Sequence, residues 1–206
     1  MTEILHSIGQ GLRIPCYAVL LILMAIAVAE IGYLIYEAAQ RANSDDVNTV
    51  ELLHTMRGKS LAEIGALLNG EPFLARQKKM FTRLLDTADL PEETRLAAAK
   101  RMLEGEDAYY DRILHVTDTV AKLGPMFGLL GTLIPLGPGI MALGRGDTAT
   151  LSASMSVAFD TTIAGLITAA VCAVISGIRR RWYNAEIADV EAVMEGVLQE
   201  MKGDAQ

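Results

Sequence analysis

Asp160, Thr161 and Thr162 interrupt an otherwise apolar stretch, MSVAFDTTIAGLITAAVCAVISGIRRRW, running from Met155 to Trp182. From Met155 to Ile178 this stretch is long and apolar enough to cross a bilayer. A charged acid at membrane depth costs about 2.5–3.5 kcal/mol on insertion scales, so it normally faces a cavity, a partner or a conduction path. If the span begins at Ser154, Asp160 lies about 9 Å in from one surface. That depth also suits a hydrated acid at the headgroup boundary, and both readings stay open. The side chains of Thr161 and Thr162 diverge by about 100°, so both cannot face one pore squarely. Gly165, Ala169 and Ala173 follow Thr162 near the same face, a smooth stripe against which a partner helix can slide or pack closely.

A second polar position, Thr132, lies within LGPMFGLLGTLIPLGPGIMAL, residues 123–143. Its hydroxyl has an ordinary alternative, a bond to its own helix backbone. Glycines 124, 128, 131, 137 and 139 include spacings of three and four, which put small residues on shared faces and let helix backbones approach. Pro125, Pro135 and Pro138 remove backbone donors, which a helix lining a protein core or a watery cavity tolerates better than one facing lipid. Glu30 is the one charge in a third apolar run, Ile14–Tyr36. It has no Lys or Arg within a turn. With Tyr33 and Glu37 beyond it, a position at the cytoplasmic membrane boundary is expected, pairing across helices or protonation being the alternatives.

The elements that position these residues follow from hydropathy. The chain has 206 residues, a net charge of −7, 51% hydrophobic and only 5% aromatic residues. Its mean hydropathy is +0.31. The apolar residues are gathered into three runs, which predicts an integral membrane protein with a polar domain attached. The expected spans are residues 14–37, 123–143 and 154–178. The first is about 34 Å long as a helix, which is too long for a signal peptide. Lys and Arg are scarce before the first span (Arg13) and in the link between the second and third (Arg145). They are frequent in residues 38–122, and Arg179, Arg180 and Arg181 follow the third span directly. The positive-inside rule therefore places residues 1–13 and the link 144–153 outside, and residues 38–122 and 179–206 in the cytoplasm, with the arginine triplet as the topology anchor.

The cytoplasmic segment reads as helix: one over Val47–Leu68, one over Glu71–Thr87, and a long one that begins at Pro91 and continues into the second span. After the triplet, WYNAEIADVEAVMEGVLQEM predicts an amphipathic helix packed beside the long helix or a neighbouring subunit. Cys16 and Cys172 sit inside apolar spans without metal or redox spacing, and the three histidines are scattered. No nucleophile, phosphate-loop or metalloprotease motif is present. We therefore expect no enzyme activity, metal or cofactor. No dense basic stripe with interleaved aromatics points to nucleic acid.

The block GPMFGLLGTLIPLGPGIMAL resembles the second span of the MotA/TolQ/ExbB proton-channel family, and AFDTTIAGLITAAVCAVISGIRRRWYN is similar to its third. Three spans with a helical cytoplasmic segment after the first match the TolQ/ExbB branch. The resemblance implies a homopentameric ring in the inner (cytoplasmic) membrane, with spans two and three lining a central pore. It also implies a dimeric one-span partner of ExbD, TolR or MotB type in that pore. An aspartate on the partner helix would carry the ion, H+ or alternatively Na+. Thr132 and Thr162 fall on the family's pore threonines, Thr161 and Asp160 beside them are expected to line the ion pathway too, and Gly128, Gly131 and Gly165 are expected as helix-packing and pore glycines. Hydroxyls near such a carboxylate can donate to its charged form and accept from its neutral form. The sequence departs from the pattern at Val157, where ExbB- and TolQ-type proteins have an acid, and at Asp160, where they have an apolar residue. The expectation is thus an all-α, three-span subunit of an ion-driven motor. The alternative is a non-conducting oligomeric scaffold for an envelope complex.

Overall fold

The computed structural model describes residues 11–42 and 47–203. Residues 1–10 of the N-terminal segment expected outside lie beyond it, as do 43–46 and 204–206. The described residues form helices and no strand: α1 (Arg13–Ala42), α2 (Thr49–Met56), α3 (Leu61–Gly70), α4 (Ala75–Leu85), α5 (Glu92–Leu143) and α6 (Thr148–Gly203). Three of them, α1, α5 and α6, are long and apolar enough to cross a membrane. At 52 residues, α5 is about 78 Å long, more than twice the hydrocarbon thickness, so only part of it fits within lipid.

The chain divides into two compact units. The first comprises the described residues up to Tyr36 together with Ile113–Arg179. On α1 the buried residues Cys16, Leu20, Leu23 and Ala27 recur at helical spacing and mark one face. Leu23 and Ala27 pack with Val120 of α5 and Cys172 of α6. Many other apolar side chains, among them Ile14, Leu21, Val28, Leu133 and Ile163, are exposed. A helix apolar on every side suits lipid or a partner helix rather than water.

Helix α6 begins earlier than the expected link 144–153 allows: the link is only residues 144–147. Gly146 turns the chain at φ +78°, and Asp147 closes the link as a helix cap. Its carboxylate accepts from the Thr150 backbone N–H at 3.0 Å. These bonds hold the Asp147 carboxyl below its ordinary value. Nor does α6 stop at the arginine triplet, so the amphipathic helix expected over 179–206 is the continuation of the third span rather than a separate element. No proline or glycine pair interrupts the junction.

The second unit comprises Glu37–Arg112 and the chain from Arg180 onward. Its core gathers Leu52 and Met56 of α2, Ile64 and Leu68 of α3, and Phe81 and Leu84 of α4, with Ala99 of α5. Val190, Val193, Met194, Val197 and Met201 of α6 complete it. Their spacing of three and four is the apolar stripe of the amphipathic sequence. The single helix expected over Val47–Leu68 is two. Gly58, at φ +73°, ends the first. Ser60 opens the second with a capping box, its N–H donating to Glu63 Oε2 at 2.9 Å. Those bonds also lower the Glu63 pKa. The helix expected from Glu71 starts at Ala75, after Pro72.

Candidate functional site

The membrane-type segments of α5 and α6 meet along a face of α5 made of Gly124, Gly128, Gly131, Pro135 and Gly139, all buried. At Gly124, Gly128 and Gly165 the contact is with backbone, and at Gly131 and Gly139 it is with the small side chains of Thr161 and Ser154. A Cβ placed on Gly165 would lie 2.5 Å from the Gly124 carbonyl oxygen and 2.9 Å from Gly128 Cα. One on Gly131 would lie 2.7 Å from Thr161 Cβ, and one on Gly139 3.0 Å from Ser154 Cβ. As numbers rise along α5 they fall along α6, so the two helices run antiparallel. By contrast, Gly137 has open space where a Cβ would sit.

This register assigns different surroundings to the three threonines and the acid. Thr161 stands in the helix contact against Gly131. Its hydroxyl donates within its own helix, to the carbonyls of Val157 at 3.0 Å and Ala158 at 2.9 Å. Thr162 reaches across to the Gly128 carbonyl at 3.4 Å. Thr132 donates to Leu129 O at 2.6 Å, the local backbone bond open to any threonine in a membrane helix.

Thr132 follows Gly131, and Thr162 follows Thr161. A step of one residue turns a side chain by about 100°, and on antiparallel helices the two turns lead to the same flank of the hairpin. Thr132 and Thr162 thus share a flank, both only partly buried. Asp160 precedes Thr161 and so turns the opposite way. It is exposed and takes no hydrogen bond or ion pair from the described residues. The sequence groups Asp160, Thr161 and Thr162 as one cluster, whereas the helix geometry disperses them to a flank, a contact and the opposite flank.

Two further polar contacts lie at the end of the third apolar run. Arg179 is fully buried, and its Nη1 donates to Glu30 Oε2 of α1 at 2.6 Å. Its guanidinium also lies 4.8 Å from the centroid of the Tyr33 ring. Of the alternatives for Glu30, pairing across helices is the one found. Of the three arginines taken as the topology anchor, Arg179, one turn after buried Ser176, points inward, while Arg180 and Arg181 are exposed. Ser176 in turn donates to the Asp118 carboxylate on α5. Sequence reasoning did not single out Ser176 or Asp118. The available signal was the spacing Thr161, Gly165, Thr168, Cys172, Ser176, Arg179, which continues one face of α6 to its charged end.

The family model of the MotA/TolQ/ExbB proton channel family matches residues 68–192, a segment that contains both halves of the glycine contact. No curated protein matches the chain.

Proposed function

Because the chain belongs to the MotA/TolQ/ExbB proton channel family, we propose that it is a ring subunit of an ion-driven membrane motor. Membership gives the coarse role, an ion-channel component of motor type in a multi-pass membrane protein. In our reading the chain crosses the inner membrane three times, with the N-terminus outside and the C-terminus in the cytoplasm. It assembles as a homopentamer around a dimeric one-span partner of ExbD, TolR or MotB type. H+, or alternatively Na+, passes between ring and partner and drives mechanical work.

The observation that carries this reading is the shared flank of Thr132 and Thr162 within the family-matched segment. Two hydroxyls on one side of a hairpin built on glycines offer an ion-carrying carboxylate of a partner helix both donors and acceptors. They ease the ionised and the protonated state alike, where bare hydrocarbon would penalise the ionised one. Thr161 then serves packing, and Asp160 lies off the ion path.

The test is ion flux into vesicles holding the chain together with its one-span partner, comparing wild type with the Thr132→Ala, Thr162→Ala double variant. Most of the flux should be lost, with the ring still assembled. Unchanged flux in an assembled ring would remove the pore roles and favour a non-conducting scaffold. Repeating the measurement with Na+ replaced by K+ identifies the ion: flux that persists without Na+ is carried by H+.

A further inference from the structure

Within one turn of α6, two residues grip two different helices. Arg179 holds Glu30 of α1, and Ser176, three positions earlier on the same face, holds Asp118 of α5. Glu30 and Tyr33 lie one turn apart on α1, and both meet the Arg179 guanidinium. Further along the spans, α5 and α6 touch through glycine backbone and the small side chains of Thr161 and Ser154, with no ion pair in the contact. Such small-residue contacts let the helix backbones approach closely, but they hold no charge to a fixed partner. A hydrogen-bonded ion pair with its guanidinium fully buried defines register more sharply, because a slip breaks the bond to Glu30.

We propose that Arg179 is a positioning residue for ion passage: by tying α6 to α1 through Glu30, beside the Ser176–Asp118 bond that ties α6 to α5, it fixes the axial position of α6 and so keeps Thr162 against Gly128. This rests on the ion-conducting reading above. Arg179 acts through the helix it anchors. The pair clamps three helices at one level and leaves the glycine contact as the part able to shift.

Native Cys172 reports on the clamp without any reference to conduction. It is fully buried and lies one turn before Ser176 on the same face. The experiment uses the full chain in membranes with its one-span partner, in a Cys16→Ser background so that Cys172 is the remaining cysteine. It reads two quantities, the rate of Cys172 labelling by N-ethylmaleimide and proton flux. Glu30→Gln and Arg179→Gln should each speed labelling by about tenfold or more, as local opening becomes easier, and flux should fall in both. Arg179→Lys keeps the charge and should lie nearer to wild type in both readings.

Wild-type labelling in both Gln variants overturns the clamp, as does Arg179→Lys behaving like Arg179→Gln. Faster labelling with unchanged flux overturns the positioning role and leaves a packing contact only. If a single Gln variant does not accumulate, the double variant Glu30→Gln, Arg179→Gln removes both charges of the pair together and carries the same two readings. If wild type itself passes no ions while labelling still responds to Glu30 and Arg179, the conducting reading fails and the positioning role fails with it, but the clamp stands.

Discussion

Gly165 and Gly124 meet with no room for a side chain, since a Cβ on Gly165 would stand 2.5 Å from the Gly124 carbonyl oxygen. The atom in the way is backbone and cannot rotate aside. Gly165→Ala should therefore force the two helices apart, at a cost of about 1–3 kcal/mol typical of overpacking. Thermal unfolding in detergent should show a lowered midpoint for Gly165→Ala. Gly137→Ala, with open space at its Cβ, is the matched control and should unfold near the wild-type temperature. Equal midpoints for the two variants would show that the helices do not touch at Gly165.

Asp160 faces away from the flank that Thr132 and Thr162 share. Asp160→Asn should thus leave the ion preference of the assembled ring unchanged, and any loss should appear in assembly. Flux per assembled ring, normalised by native mass spectrometry, separates the two. A fall in flux per ring with assembly intact would return Asp160 to the ion path.

Asp147 caps α6, and its hydrogen bonds to Thr150 hold its pKa below the ordinary 3.8. A folded pKa below the unfolded one means the cap contributes its stabilisation above the unfolded value. That contribution is lost as pH falls through the folded value. Amide exchange at Thr150 and Leu151 should quicken below about pH 4. Asp147→Asn retains a capping oxygen and should abolish the acid sensitivity while keeping the protection at neutral pH.

Tyr110 is buried, and its hydroxyl donates to Glu186 Oε2 at 2.5 Å, with its ring stacked on Tyr183 at 4.5 Å. Burial first, and the Glu186 bond second, push its pKa well above that of an ordinary tyrosine. The raised value means that the stabilisation is complete below about pH 10 and is lost as pH rises beyond it. In an alkaline titration followed at the tyrosinate absorption band, a fraction of the tyrosines should ionise late, together with unfolding. Tyr110→Phe should remove that late fraction. A single ordinary transition in the wild type would contradict the buried hydroxyl.

Much of this protein lies in the order of its residues, because hydropathy acts locally. The three apolar runs, the helical character between them and the glycine-rich block matched by the family model are all readable along the chain, since each depends on neighbours three or four positions away. The same locality explains the misjudged stretch 47–68, where apolar periodicity outweighed the break that Gly58 and the Ser60–Glu63 box impose. It also explains the link, whose end depends on a cap at Asp147 rather than on hydropathy. What the chain order does not contain is register between distant helices. Glu30 and Arg179 are 149 positions apart, and nothing near either one names the other. Helix geometry alone turns Asp160, Thr161 and Thr162 apart by about 100° each, but which of them meets Gly131 was decided by the packing of α6. Periodicity says which residues share a face; only packing decides what that face touches, and so turned an apparent polar cluster into a packing threonine, a shared hydroxyl flank and an acid pointing elsewhere.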